Sequence, residues 1–183
     1  SKVMKWPKLR VDVLKYGCLL HDIGQLRLSA EEIKKEEELD EYGKKNKFKH
    51  PQYGFDLLKD LTTIKVPGAE IIAECAGHHH EKEDGKGDKG ISGKDLREEV
   101  KILSIADSFD KIVTNLDKKN RKRVGKQKNE IITFDDVINE ITSQKGTKFS
   151  SKIVNKICKK KEDLRTFLGQ KPESFSAYSG LKY

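Results

Sequence analysis

Leu9, Val13, Tyr16, Leu19 and Leu20 recur at three- and four-residue intervals along LRVDVLKYGCLL, and that spacing predicts a buried helix ending at His21-Asp22. The same period governs nearly every other apolar stretch of the chain, and hardly any stretch alternates as a strand does. Phe55, Leu57, Leu58 and Leu61 follow His50-Pro51, where a first helical turn tolerates proline. A third helix is expected over roughly 68–79, and Leu96, Val100, Leu103, Ile105, Phe109, Ile112 and Val113 predict a longer one over 94–116.

End signals agree with that reading. Ile23-Gly24 breaks the first helix, and Ser29 with Glu32 matches a capping box that opens an acidic helix to about Glu41. Thr133 caps a short helix through Ile141, and Ser150 or Ser151 caps the last clear one, to about Lys161. The four glycines in the stretch from Glu81 through Gly93 make it a loop. The expected fold is all-α, one domain over residues 1–183, with about six to eight helices around a shared site.

Composition narrows the partners. A net charge of +8 favours an anionic one, although only six of the basic residues are arginines able to fork onto a phosphate. The basic stretch from Asp117 to Glu130 has no aromatic residue on which a base could stack, which makes a single-stranded nucleic acid a poor fit there. Cys18, Cys75 and Cys158 are isolated, a pattern that fits reduced thiols in the cytoplasm. No apolar run approaches the roughly 18 residues of a membrane span.

All five histidines fall between positions 21 and 80, each at or beside a predicted helix. Asp107 stands inside the apolar run ILSIADSF, where a carboxylate is costly without a cation or hydrogen-bond donors. Imidazole and carboxylate together suit first-row divalent ions, and two such ions bridged by one carboxylate can clamp a phosphate for in-line attack by hydroxide. His21 and Asp22 are the natural centre of that arrangement, with Asp22 as the bridge. A lone His-Asp pair would mean little; the set taken together carries the reading.

The order of these residues resembles the HD superfamily of metal-dependent phosphohydrolases, and within it the bacterial HD-GYP group that hydrolyses cyclic di-GMP. LLHDIGQ (residues 19–25) is similar to the group's LLHDIGK, and KHPQYGFDLL (49–58) to its HP-led helix. HHEKEDGKGDKG (79–90) resembles its HHE block and GYP loop, and ILSIADSFDKIVT (102–114) its ADxFD helix. The closing segments ITFDDVINEI and GTKFSSKIVNKI are similar to its last pair of helices.

The resemblance implies that His21, Asp22, His50, His79, His80 and Asp107 are metal ligands, with His21 and Asp22 at the catalytic centre. It implies two divalent transition-metal ions, Fe or Mn in preference to Zn, Ni or Mg. Gln25, Asp84, Lys118 and Arg121 are then expected near the substrate, a cyclic dinucleotide. Glu81, Gly85, Gly87 and Asp110 are expected to shape the surroundings. Sensor or other signalling domains commonly accompany such a module, and an opening without Met is compatible with a fragment lacking one or lacking an N-terminal helix.

Three positions depart from the pattern. Gln25 stands where the group has lysine, and Gly87-Asp88-Lys89 where it has Gly-Tyr-Pro. Neither Glu nor His precedes His21, so the upstream ligand position has no counterpart. Two further readings compete on this basis: a nucleotide- or protein-binding signalling module with impaired catalysis, and an HD phosphohydrolase acting on another nucleotide or a nucleic-acid end.

Overall fold

The computed structural model describes residues 5–29, 32, 49–114, 122, 124–126, 130 and 132–168. The acidic helix expected to run to Glu41, and Lys118 and Arg121 of the basic stretch, lie outside the described residues. Among those described the fold is all-α: seven α-helices, short 3-10 turns and no strand. None of these helices is long and apolar enough to cross a membrane. The chain divides into two compact units, residues 1–103 and 104–183.

The first unit is built from α1 (Lys8–Leu20), α2 (His50–Leu58), α3 (Ala69–His78) and the N-terminal turn of α4 (Glu98–Thr114). A 3-10 turn, Ile23–Arg27, follows α1. Val13, Leu58, Ile72, Ala73 and Ala76 form one core cluster, with Leu20, Ile23 and Phe55 packed on it. Cys75, Val100 and Leu103 form a second, against which Cys18 and Leu96 pack.

The helix expected from LRVDVLKYGCLL is present, but its inward face differs from the expected one. Leu9, Tyr16 and Leu19 are exposed, and the buried residues of α1 are Val13 and Gly17. Gly17 explains the rotation. A Cβ there would sit 2.7 Å from the Cys75 sulfur, so the missing side chain lets α1 and α3 approach closely, and the helix turns that face inward.

Gly24 plays a related part. Its φ is not positive, so it is more than a helix breaker: a Cβ would overlap the His50 carbonyl oxygen and lie 2.5 Å from the Gly54 amide nitrogen. The turn after His21-Asp22 therefore rests directly on the first turn of α2. Gly54 in turn faces Ala76, a Cβ there meeting the Ala76 methyl at 3.1 Å. Small residues at three contacts bring the histidine-bearing ends of α1, α2 and α3 together.

The reciprocal capping box of Ser29 and Glu32 forms as expected, with Ser29 N donating to Glu32 Oε2 at 2.8 Å and Glu32 N to Ser29 Oγ at 3.3 Å. The fourth helix begins at Glu98 rather than Lys94, because a short 3-10 turn occupies Gly93–Asp95.

The second unit holds the rest of α4, then α5 (Phe134–Ser143), α6 (Ser151–Lys159) and α7 (Lys161–Phe167). Thr133 caps α5 in a full capping box with Asp136. The helix expected to run to about Lys161 ends at Lys159, and a further short helix, α7, follows it. Arg165 ties α7 to α5 with one guanidinium nitrogen at 2.9 and 2.8 Å from the two Asp135 oxygens.

Candidate metal centre

His21 follows the last turn of α1, and its Nδ1 donates to the Cys18 carbonyl oxygen at 2.7 Å. Asp22 comes next, at the head of the 3-10 turn. His50 is the first residue of α2 and is buried. His79, 1% exposed, caps α3, and its Nδ1 donates to the Ala76 carbonyl oxygen at 2.9 Å. His80 lies one residue on, with Nδ1 at 2.9 Å from Asp88 Oδ2.

A carbonyl or an ionised carboxylate can only accept, so the Nδ1 of His21, His79 and His80 must carry the hydrogen. In the neutral ring Nε2 is then the lone-pair nitrogen, as metal binding requires. The rings crowd together: His79 is centred 5.0 Å from His21, 5.3 Å from His50 and 4.3 Å from His80. Two sets have ligand atoms all within 4.8 Å of one another, His50–His79–His80 and His21–Asp22–His79.

Asp22 sits among these rings. Its Oδ1 is 3.0 Å from His50 Nε2 and 3.5 Å from His79 Nε2, and its Oδ2 is 3.5 Å from His21 Nε2. Burial alone would raise its carboxyl, but the surrounding histidines, the hydrogen bond with His50 first, outweigh burial and hold it well below the usual carboxylate range. Burial pushes His79 down to about 4, against the opposing pull of Asp22, so its ring is neutral near pH 7. A neutral His79 with its hydrogen on Nδ1 turns a lone pair toward an ionised carboxylate oxygen. Two acceptors facing each other repel, and a cation between them removes the conflict. This donor set of nitrogens and one carboxylate fits a first-row divalent ion.

His78 stands apart from this set. Its ring stacks on Phe55, with centroids 6.0 Å apart and planes 20° from parallel. Asp107 belongs to the second unit, where Lys111 Nζ lies 2.7 Å from its Oδ2. Asp110, on the same helix, is exposed.

Glu81 is 3% exposed and organises the glycine loop. Its carboxylate accepts the backbone N–H of Lys89 at 2.6 Å and of Ile91 at 2.9 Å. Gly87 packs so tightly that a Cβ would lie 2.5 Å from Glu81 Cα, and Gly85 takes a φ of +74°, a region glycine enters without strain. Asp84 accepts the Lys86 backbone N–H at 3.0 Å, which makes it a turn former here. Gln25 is half-buried in the 3-10 turn, and its carbonyl accepts from Leu28 N–H. Sequence reasoning missed Asp88, the partner of His80; the only available signal was its position eight residues on, inside the glycine loop.

A helical fold with an HD turn, a following histidine helix and a His-His-Glu block defines a class of metal-binding domains. Residues 3–112 match the HD domain family, and the chain belongs to that family. Over 98 residues, 53% of the chain, it is 36% identical to the 3'3'-cGAMP-specific phosphodiesterase 3 of Vibrio cholerae, covering 20% of that protein. It is 30% identical over 144 residues to the 3'3'-cGAMP-specific phosphodiesterase 2 of the same organism, covering 78% of the chain and 25% of the relative. With the cyclic di-GMP phosphodiesterase of Thermotoga maritima it shares 24% identity over 98% of its own length and 46% of the relative's. The chain thus spans between a fifth and just under half the length of these relatives.

Proposed function

We propose that this chain is a metal-dependent phosphodiesterase that opens a cyclic dinucleotide, cyclic di-GMP first among the candidates, to a linear product. The observation that carries the reading is the convergence of His21, Asp22, His50, His79 and His80, with ligand atoms of two overlapping sets within 4.8 Å. The relatives are cyclic di-GMP and 3'3'-cGAMP phosphodiesterases by name, which supports the substrate class.

In this reading the five residues hold the divalent ions, two in number and Fe or Mn by preference. Ions in such a site supply Lewis acidity toward a phosphoryl oxygen and a hydroxide nucleophile at neutral pH. The protein's own contribution is orientation. Cys18 and Ala76 carbonyls fix the rings of His21 and His79, and Asp22 stays ionised at the centre. Free cysteines at 18, 75 and 158 support a cytoplasmic setting, where other signalling domains are the expected companions.

The test is anaerobic incubation of Mn- or Fe-loaded protein with cyclic di-GMP and, separately, 3'3'-cGAMP, with Asp22→Ala as control and products resolved by chromatography. A linear product absent from the control supports the phosphodiesterase. Intact substrate with metal bound refutes it and leaves a binding module, a reading favoured by Gln25 occupying the lysine position. Turnover of other nucleotides alone would keep the chemistry and change the substrate.

A further inference from the structure

The loop that resembles the GYP segment has exchanged Tyr-Pro for Asp88-Lys89, and Asp88 reaches back to the candidate metal centre. Its Oδ2 lies 2.9 Å from Nδ1 of His80, eight residues earlier in the chain. We infer that Asp88 is a positioning residue for His80: it accepts the Nδ1 hydrogen, fixes the tautomer, and turns Nε2 toward the divalent ion. The inference rests on the metal-binding reading above.

Two features make this contact more than a chance meeting on a surface loop. The residues flanking Asp88 are both anchored to Glu81, a carboxylate only 3% exposed. On one side Gly87 lies so close that a Cβ would stand 2.5 Å from Glu81 Cα. On the other, the Lys89 N–H donates to Glu81 Oε1 at 2.6 Å. A residue held at both neighbours has little freedom to swing away, so its carboxylate is presented at a set place.

The second feature is the pattern of the other rings. His21 and His79 each have Nδ1 occupied by a main-chain carbonyl three residues earlier, Cys18 and Ala76. For His80 the corresponding partner is a side chain brought from the loop. A carboxylate is a stronger acceptor than a carbonyl and makes the imidazole a better donor to a metal. His80 belongs to the His50–His79–His80 set, so its orientation bears on that ion. Asp88, standing where the resembled group has tyrosine, therefore supplies a hydrogen-bond partner to a ligand.

The test uses the whole chain, with Asp88→Ala, Asp88→Asn, His80→Ala and the double variant Asp88→Ala/His80→Ala. Divalent affinity is measured by titrating metal-free protein with Zn2+ and with Mn2+, and histidine tautomers by 15N-detected imidazole NMR. Asp88→Ala should weaken the affinity roughly 10- to 100-fold, with Asp88→Asn, which keeps an oxygen acceptor, falling in between. In the His80→Ala background, removing Asp88 should cost nothing further. The His80 Nδ1–H tautomer should be populated in the metal-free wild type and lost in Asp88→Ala.

Unchanged affinity and an unchanged tautomer in Asp88→Ala would overturn the inference. So would an equal loss with and without His80, since that would mark a general loop effect. Failure of the wild type to bind either ion would sink the metal-binding reading itself, and the tautomer measurement would still decide whether Asp88 holds His80.

Discussion

Nε2 of His50 and Nε2 of His79 face one another across 3.3 Å at the meeting of α2 and α3. His79 has its hydrogen on Nδ1, so in the metal-free state His50 must carry one on Nε2, which it can share with Asp22 at 3.0 Å. The same nitrogen belongs to the His50–His79–His80 ligand set. Loading the site therefore requires Nε2 of His50 to give up its hydrogen.

His79 and His78 are neighbours with opposite expected effects. His79→Ala should abolish high-affinity divalent binding. His78→Ala should leave that affinity intact and lower stability by about 1 kcal/mol through loss of its stacking on Phe55. Metal titration and thermal melts of the two variants separate these outcomes; loss of binding in His78→Ala would contradict the assignment.

Gly24→Ala tests the close approach that seats the His-Asp turn on α2. The added methyl would meet main-chain atoms of His50 and Gly54, which cannot rotate aside. The expected cost is about 1–3 kcal/mol, with weaker metal binding as His50 moves away from Asp22. An unchanged melting temperature would show that the turn can rise off the helix at little cost.

Acid should destabilise the metal-free protein in a defined window. His79 titrates at about 4 when folded and near 6.5 when free, so the unfolded chain takes up its proton first. Stability from this group is complete above about 6.5 and falls by up to about 1.4 kcal/mol per pH unit down to about 4. Asp22, also held below its ordinary value, pushes the same way at lower pH. Melting curves of metal-free wild type and His79→Ala across pH 4–7.5 should diverge, the variant showing the shallower slope.

The three thiols should react unequally. Burial pushes Cys75 up to about 12 and raises Cys18 as well, whereas Cys158 is exposed. At pH 8 a maleimide or disulfide reagent should label Cys158 rapidly and Cys75 only after unfolding, as read by mass spectrometry of the digested protein. Rapid labelling of Cys75 would mean that the contact of α1 with α3 opens readily.

The helical class was legible because the apolar spacing is helical in every long segment, and the histidine positions were legible because each marks a helix end. The inward face of α1 was not. Gly17 carries no apolar signal, yet the absence of its side chain decides which way the helix turns. Helix α7 escaped notice because KEDLRTF offers only Leu164 and Phe167 as apolar residues, and an ion pair of Arg165 with Asp135 holds it. The role of Asp88 was not legible, since one residue in a glycine loop gives no hint of a histidine eight positions back.

Glu81 fastens the glycine loop from outside it, by gripping two main-chain N–H groups rather than any side chain of the loop. The loop's shape is thus largely independent of which residues stand at 86, 88 and 89. Such a segment works as an exchangeable cassette: new side chains can be tried beside the metal centre without rebuilding the frame, and ligand chemistry can change one substitution at a time.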